Sequence, residues 1–389
     1  MKKICVITGY RSDYTKLKSV LKELQKEPNI QLQIVAFGAH MSNDSGNSVD
    51  KILEDGFSVE YTCSANVEGD SPFNMSKSIG LSVIELTSAL EKLNPDVVML
   101  VGDRYEILGA AVCASVANLP IAHIQGGELS GTIDETIRHA ITKLSHIHFP
   151  STEKSKEIIL QLGENPDLVY NVGCPAIDHM LSISYCEKSD IKNLPDLQQL
   201  SIDLDKPYLI VAQHPVTTEY EKASSDMLST LEALQKLSVQ AVLIYPNPDA
   251  GSDAIVKQIR KHQKKYGKES VIKNCYKNIG FDSYLNLLKH SSCLVGNSSS
   301  GIREAHLFGT PVVNIGSRQE DRERTENILD IPCYTNIIYE AVKHQLQHGP
   351  YKNIKNIYGS GDSSSKITKI LSKISLDDII QKRLYIKNE

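Results

Sequence analysis

The amino-acid sequence predicts an α/β protein built from two domains. Short apolar runs typical of buried parallel strands alternate with segments whose apolar residues recur at helical spacing. A polar stretch with scattered proline and aspartate, residues 184–206, separates two such series. The 389 residues of the chain are also too many for one hydrophobic core. We therefore expect a first domain over residues 1–183 and a second domain over residues 207–370.

The composition argues against several classes of protein. The chain has 42 Lys and Arg against 47 Asp and Glu, a net charge of −5, which disfavours a general nucleic-acid binder. It contains no apolar run of the roughly 18 residues that a membrane span needs. The opening MKKICVITGY lacks the long apolar region of a signal peptide. The eight scattered cysteines have no metal-ligand spacing, so we interpret them as reduced thiols of a cytoplasmic protein.

The start of the chain predicts an anion-binding turn. The first strand, Ile4–Gly9, runs into a helix whose first residues include Arg11 and Thr15. Backbone N–H groups and the helix dipole favour an anion at such a strand-to-helix turn. We therefore predict that Arg11 binds a phosphate. The second strand, Gln31–Gly38, is followed by His40, which fits either a site residue or a surface histidine.

The other motifs are arranged around the segment from Asp96 to His148. It contains two apparent buried strands, Val97–Val101 and Pro120–Ile124, each followed by polar residues and a helix. Ligand groups in open α/β sheets gather just past the carboxyl ends of the strands. Crowded carboxylates there raise one another's pKa values, which suits acid and base catalysis near neutral pH. The side chains expected in this crevice are Asp103, Arg104, Gln125, Glu128, Asp134 and Arg138.

Two of these carboxylates have structural alternatives. Asp134 could be a carboxylate attracted by a helix start, as could Glu135 beside it. Glu128 follows two glycines, which we expect to give the loop freedom to bring it into the crevice. Its alternative role is to brace the loop by accepting hydrogen bonds from backbone N–H groups.

The second domain carries a glycine- and serine-rich loop, GNSSSGIREA at residues 296–305, between a strand and a helix. Its backbone N–H groups and hydroxyls can surround a diphosphate. Glu304, expected on the first turn of the helix, can accept both hydroxyls of a ribose. The alternative is a serine N-cap followed by a glutamate that interacts with the helix dipole. No lysine follows as in a P-loop, so we expect no ATP hydrolysis of that kind.

Two further residues of the second domain follow predicted strands. His214 can neutralise a leaving phosphate as imidazolium, or it can be a core histidine that is bonded to backbone. Arg318 is a candidate ligand of the nucleotide. Because ligands gather at strand ends, we expect both to face the glycine- and serine-rich loop.

An ordered set of motifs between residues 9 and 319 gives the chain a family resemblance. These motifs are GYRSDYTKL, GAHM, VGDRYE, HIQGGELSGTIDETIRHAITKLSHIHF, GCPAID, AQHPVTT, YPNPDAGS, GNSSSGIREA and GSRQ. The set resembles that of the hydrolysing UDP-N-acetylglucosamine 2-epimerases of sialic-acid synthesis. The resemblance implies two Rossmann-like domains facing across a cleft, in a glycosyltransferase-B-like arrangement. It also implies a C-terminal helix, about residues 371–389, that returns to the first domain, and no cofactor or metal.

The resemblance also implies roles for single residues. Asp103 and Asp134 match acid/base positions, whereas Gln125 stands where many relatives have glutamate in HIEGGE. Any proton transfer by that glutamate must therefore be done elsewhere, with Glu128 and Asp134 as candidates. The expected catalytic set is Asp103, Asp134, Glu128, Gln125 and His214. The residues expected to bind the diphosphate are Arg11, His214, Ser298 and Ser299. Glu304 is expected to bind the ribose, and Arg318 and Asn247 the nucleotide. The other expected substrate-binding residues are Thr15, His40, Arg104 and Arg138.

The activity that the resemblance implies is conversion of UDP-N-acetylglucosamine and water to N-acetylmannosamine and UDP. The alternatives are the same reaction on a modified sugar such as UDP-diacetylbacillosamine, a non-hydrolysing epimerase, and a glycosyltransferase of the same architecture. A non-catalytic nucleotide-sugar sensor is a further alternative, although it would not need the carboxylates. We expect a UDP-sugar as the ligand, no nucleic-acid or membrane partner, and a homodimer or homotetramer.

Overall fold

The computed structural model describes residues 1–42 and 48–386 and contains two parallel sheets of six strands each. Both sheets have apolar strands that helices cover, and all five residues of the fourth strand are fully buried. The strand order of the first sheet is β3-β2-β1-β4-β5-β6. Its strands are β1 (Lys2–Thr8), β2 (Ile30–Phe37), β3 (Tyr61–Cys63), β4 (Val97–Val101), β5 (Ile121–Ile124) and β6 (Ile147–Phe149).

The helices of the first half alternate with these strands, as a parallel sheet requires. Apolar residues of the longer helices pack on the sheet and form the core with it. The helices are α1 (Arg11–Lys26), α2 (Val49–Glu54), α3 (Pro72–Leu93), α4 (Tyr105–Val116), α5 (Ile133–Leu144), α6 (Glu153–Gln161) and α7 (Pro175–Ser182).

The second sheet repeats the architecture of the first, with the order β12-β11-β10-β7-β8-β9. Its strands are β7 (Tyr208–Ala212), β8 (Gln240–Ile244), β9 (Ile272–Tyr276), β10 (Cys293–Gly296), β11 (Val312–Ile315) and β12 (Ile328–Ile331). The helices of this half are α8 (Ala223–Leu237), α9 (Ser252–Tyr266), α10 (Phe281–His290), α11 (Ser299–Arg303), α12 (Thr335–His348) and α13 (Ser363–Lys373).

Each sheet has one point at which the strand order reverses. In the first sheet β1 lies between β2 and β4, and in the second β7 lies between β8 and β10. The loops after the two neighbouring strands diverge there and leave a crevice for a ligand. The predicted site residues follow β1, β2, β4 and β5 in one sheet and β7, β8, β10 and β11 in the other, so both crevices carry them.

The last helix, α13, packs on the first sheet, as expected. Ile367 and Leu371 lie in the core of the first sheet, and Lys2 Nζ donates 2.7 Å hydrogen bonds to the carbonyls of Leu371 and Ile374. This helix begins at Ser363, earlier than the expected returning segment 371–389. Helix α7, expected in the first domain, contributes to the core of the second sheet. The exact domain bounds stay predictions.

No helix in the described ranges 1–42 and 48–386 combines the length and apolarity that are needed to cross a membrane.

Candidate active site

Loops at the carboxyl ends of the two sheets meet in a cleft between the domains. Arg104 Nη2 lies 3.2 Å from Asp249 Oδ1, and Arg318 Nη2 lies 3.8 Å from Asp134 Oδ2. Each pair joins one residue of the first half to one of the second. Residues that are far apart in the sequence therefore form one polar site.

Asp103 follows β4 and is surrounded by cations. It accepts a hydrogen bond from Arg138, which is fully buried, and lies 3.7 Å from Arg322 Nη2. Burial would raise the pKa of Asp103, but the charges of Arg138, Lys16 and Arg322 hold it well below its usual range. The expectation that crowding raises this pKa is wrong for Asp103, because the charges of Arg138, Lys16 and Arg322 outweigh those of the neighbouring carboxylates.

Asp134 has the opposite environment. Burial and the charge of Asp103 raise the pKa of Asp134, although Arg318 acts against them. The N-cap of α5 is Thr132, whose hydroxyl accepts a 3.2 Å hydrogen bond from the Asp134 backbone N–H. The helix therefore does not need the Asp134 carboxylate as its cap. Glu135, in contrast, accepts a hydrogen bond from the Ser130 backbone N–H and braces the preceding loop.

Glu128 is paired with arginines of the second domain. It accepts a hydrogen bond from Arg303, and Arg322 Nη2 lies 3.3 Å from its Oε2. Burial would raise the pKa of Glu128, but Arg303, Arg322 and Arg138 together lower it. The two glycines before it do not provide freedom: a Cβ at Gly127 would lie 2.1 Å from the Ser155 carbonyl oxygen. Close packing with α6 therefore requires glycine there and fixes the loop.

Gln125 is held in one orientation. Its side chain is fully buried and donates a 3.1 Å hydrogen bond from Nε2 to Cys174 Sγ. Its backbone has a φ of 64°, in the left-handed region, and its N–H donates to the Phe149 carbonyl at 3.0 Å. Because an amide does not titrate near neutral pH, Gln125 can orient neighbouring groups but cannot exchange a proton.

His214 follows β7 and is held in one tautomer. Its Nδ1 accepts a 3.2 Å hydrogen bond from the Asn247 backbone N–H, so a neutral ring carries its proton on Nε2. Asn297 binds both the backbone N–H and the carbonyl of His214, at 2.7 and 2.9 Å. Burial lowers the pKa of His214 to about 3. The ring is therefore neutral in the ligand-free protein, where Nε2–H is a donor for a phosphate. The imidazolium role against a leaving phosphate stays a prediction.

The glycine- and serine-rich loop leads into α11, which has only five residues. Ser298 is its N-cap and accepts a 3.3 Å hydrogen bond from the Ser300 N–H, while the Ser300 hydroxyl contacts Tyr284. Glu304 follows the last residue of α11, so its expected place on the first turn is wrong, because the helix already begins at Ser299. Burial raises the pKa of Glu304 to about 7.

Three other predicted ligands line the turn between β1 and α1 or lie near it. Arg11 donates to Asn278 of the second domain, and Thr15 donates a 2.9 Å hydrogen bond to the Arg11 carbonyl. His40 is fully buried, and its ring nitrogens lie 2.8 Å from Thr8 Oγ1 and 2.7 Å from Ser48 Oγ. With both nitrogens engaged, His40 has the contacts of a structural histidine and not of a ligand.

Arg104 joins the domains. It binds Glu106 Oε1 at 2.9 Å as well as Asp249, and its guanidinium lies 4.6 Å from the centre of the Tyr10 ring. Arg318 Nη1 donates a 3.1 Å hydrogen bond to the Asn297 carbonyl, which places it beside the loop that follows β10. Among the described residues, no three His, Cys, Asp or Glu side chains form a metal-ligand set.

A known protein family matches most of the chain. The family model described as UDP-N-acetylglucosamine 2-epimerase matches residues 22–372. The chain belongs to this family. The expected membership is thereby confirmed for the UDP-N-acetylglucosamine 2-epimerases as a family.

Individual relatives agree with this membership. The UDP-N,N'-diacetylbacillosamine 2-epimerase (hydrolyzing) of Legionella pneumophila is 34% identical over 97% of both chains. The UDP-N-acetylglucosamine 2-epimerase of Neisseria meningitidis serogroup B is 31% identical over 96% of this chain and 95% of its own. The crystal structure of the Methanocaldococcus jannaschii UDP-GlcNAc 2-epimerase with UDP-GlcNAc and UDP superposes with a TM-score of 0.79, covering 95% and 99% of the chains at 20% identity. This structural match confirms the fold class.

The epimerase cleft also contains residues that the sequence analysis did not select. Asp13 is 1% exposed, and neither carboxylate oxygen has a hydrogen-bond partner among the described residues. Burial raises its pKa to about 7. Its position in the first turn of α1 could have been noticed, because that turn follows β1 at the reversal of strand order. The other residues are Lys16, Asp249, Arg303 and Arg322, whose contacts cross between separate stretches of sequence.

Proposed function

We propose that the protein is a hydrolysing 2-epimerase that converts UDP-N-acetylglucosamine and water to N-acetylmannosamine and UDP. One observation carries the proposal: Asp103 and Asp134 share a site but have pKa values pushed in opposite directions. Such a separation suits an ionised carboxylate beside a carboxyl group that holds a proton more readily. The pair faces the nucleotide-binding loops of the other domain through Arg318 and Arg322.

The second domain would hold UDP. Ser298, Ser299 and the Nε2–H of His214 would bind the diphosphate together with Arg11 of the first domain. Glu304, with one oxygen that has no partner among the described residues, would accept the ribose hydroxyls. Hydrogen bonds from neutral donors would thus supplement the arginine charge around the leaving group.

Elimination is the first step of the proposed reaction. A carboxylate removes the proton from C2 of the sugar while the bond from C1 to the UDP oxygen breaks, giving a glycal and UDP. Asp134 is the better base near neutral pH because its pKa is raised, whereas Asp103 stays ionised and fixes Arg138. Negative charge developing on UDP is stabilised by Arg11 and His214.

Hydration is the second step. Water adds its oxygen to C1 of the glycal, and a proton returns to C2 on the opposite face. Inversion at C2 requires two proton-exchanging groups, one on each face. Asp13 is the second candidate because β1 and β5 flank β4, so that Asp13 and Asp134 approach Asp103 from two sides.

UDP-N,N'-diacetylbacillosamine is a second candidate substrate. The relative from Legionella, whose name specifies that sugar and hydrolysis, is 34% identical, against 31% for the relative from Neisseria. The reacting atoms, C1 and C2, are the same in both substrates. Only the contacts to C4 and C6 of the sugar would differ.

The test is proton NMR of the reaction in heavy water with each sugar nucleotide. The proposal predicts a free 2-epimeric sugar that carries deuterium at C2, together with UDP. A UDP-linked epimer would identify a non-hydrolysing enzyme, and a sugar transferred to an acceptor without exchange at C2 would identify a transferase. Absence of UDP release and of C2 exchange with both substrates would overturn the proposal.

A further inference from the structure

A small cavity lies at the domain interface beside Glu128. It is enclosed by the loop after β5, the start of α6 and residues 321–323 of the second domain. The cavity offers a water molecule about 10 Å³, close to the smallest volume that holds one. Lys154 and Asp321, which are exposed, also line it, so solvent can reach it without passing through the cleft that UDP would fill.

Two buried polar groups of opposite kind line this cavity. Glu128 is 5% exposed and Arg322 is 6% exposed. Neither Glu128 Oε1, an acceptor, nor Arg322 Nη1, a donor, has a hydrogen-bond partner among the described residues. The other ends of the same groups are occupied, since Glu128 Oε2 lies 3.3 Å from Arg322 Nη2 and accepts a hydrogen bond from Arg303. Buried polar atoms of this kind are normally satisfied, and an ordered water is the usual partner.

We infer that this cavity binds one water molecule between Arg322 Nη1 and Glu128 Oε1, and that this water is the one added to the glycal. The inference rests on the proposed hydrolytic function and deepens it. It gives Glu128 a role in hydration and none in removing the C2 proton. Arg322, 3.7 Å from Asp103, connects the water site to the carboxylates of the cleft.

The proposed step balances in protons and electrons. The water oxygen forms a bond to C1, and one of its protons passes to the Glu128 carboxylate. The electron pair of the C1–C2 double bond takes up a proton at C2 from a protonated carboxylic acid of the cleft. Because protonation at C2 makes C1 strongly electrophilic, a weak base such as an ion-paired carboxylate is sufficient. Glu128 then returns its proton to solvent.

The decisive experiment fills the cavity without touching the charged groups. Ile158 on α6 lines the cavity, and Ile158→Phe adds bulk there. Leu160→Phe, two residues along the same helix and outside the cavity lining, is the control for added bulk. Two rates are followed by NMR: release of UDP from the sugar nucleotide, and hydration of the isolated glycal in the presence of UDP.

Ile158→Phe should release UDP at nearly the wild-type rate but also release free glycal, because hydration is slowed. The ratio of glycal to hydrated sugar should rise about tenfold or more, since a positioned base contributes on the order of 10²–10⁴. Leu160→Phe should give the wild-type ratio of glycal to hydrated sugar. Arg322→Lys, which removes the Nη1 donor, should slow hydration of the isolated glycal in the same way if Ile158→Phe fails to fold.

Three results would count against the water site. One is an unchanged ratio of glycal to hydrated sugar in folded Ile158→Phe. Another is an equal fall in the rates of elimination and hydration in that variant. The third is an Arg322→Lys enzyme that hydrates the glycal at the wild-type rate. A wild-type protein that releases no UDP and exchanges no C2 proton would instead refute the proposed function, and the inference with it. If the wild-type protein makes hydrated sugar, the proposed function stands, and the variants then test the water site alone.

Discussion

Replacing Glu304 by glutamine should stabilise the ligand-free protein at pH 8 while weakening its affinity for UDP. Glu304 is 8% exposed, and burial raises its pKa to about 7 from the ordinary value of 4.5. The folded chain therefore holds a proton that the unfolded chain releases between these two pH values. Stability supplied by that proton is fully present below about pH 4.5 and is lost as pH rises through 7.

The size of the effect follows from the difference in pKa. A shift from 4.5 to about 7 corresponds to about 3 kcal/mol of unfolding free energy, at about 1.4 kcal/mol per pKa unit. Glu304→Gln has no such titration. Its unfolding free energy relative to wild type should therefore rise by about 3 kcal/mol between pH 4.5 and pH 8. Asp13 titrates in the same range, but its contribution cancels in the difference between the two proteins.

Affinity for UDP should show the opposite trend. If the ribose hydroxyls are bound by ionised Glu304, a free-protein pKa of about 7 makes the wild-type affinity fall about tenfold from pH 8 to pH 6. In Glu304→Gln this part of the pH dependence should disappear. Denaturant titration and calorimetry with UDP at pH 6, 7 and 8 measure both quantities. A variant that is not stabilised at pH 8, or that keeps the wild-type pH dependence of UDP binding, would refute the reasoning.

Three further substitutions test the carboxyl groups of the cleft. Asp134→Asn should lower turnover by about 10²–10⁴ with little change in UDP affinity; near-normal turnover would leave Asp134 a structural role. Asp13→Asn should remove a titration near pH 7 from the pH–rate profile, because burial raises the pKa of Asp13 to about 7; an unchanged profile measured by initial rates would exclude Asp13 from proton transfer. Gln125→Glu should fold and shift the profile, because it adds a buried carboxyl group to the site; a profile that matches wild type would show that the new group does not interact with the others.

The central strands were predictable from the sequence, whereas two of the edge strands, β3 and β12, were not. Runs such as Val97–Val101 and Tyr208–Ala212 are apolar because helices cover both faces, so their composition alone identifies them. The edge strands β3 and β12 have three and four residues, several of them partly exposed. Their strand character comes from pairing with β2 and β11, partners that a local sequence pattern does not reveal.

The positions of several candidate site residues were predictable from the sequence, but the charges around them were not. Asp103, Asp134 and Glu128 could be found because each lies beyond a strand of one sheet. Glu128 pairs with Arg303 and Arg322, and Asp134 lies near Arg318, because the second domain meets the first, which no local spacing encodes. The direction of the pKa change was wrong for Asp103 because Arg138 and Lys16, together with Arg322 of the second domain, outweigh the neighbouring carboxylates. The start of α11 at Ser299, which takes Glu304 out of the first turn, was likewise not evident from the local pattern.

The excess of positive charge in the cleft also bears on how the pKa of Asp134 changes during the proposed reaction. Asp103 and Glu128 have lowered pKa values and stay ionised, but the buried cations beside them, Arg138, Arg303 and Arg322, outnumber them. A bound diphosphate brings negative charge, which should raise the pKa of Asp134 further and make it a stronger base before elimination. Departure of UDP then lowers this pKa, so that Asp134 can release the proton it removed, while a group on the opposite face protonates C2. The pKa seen in kcat should therefore lie above that seen in kcat/KM, because kcat reports the substrate complex and kcat/KM the free enzyme; equal values would mean that the diphosphate and Asp134 do not interact.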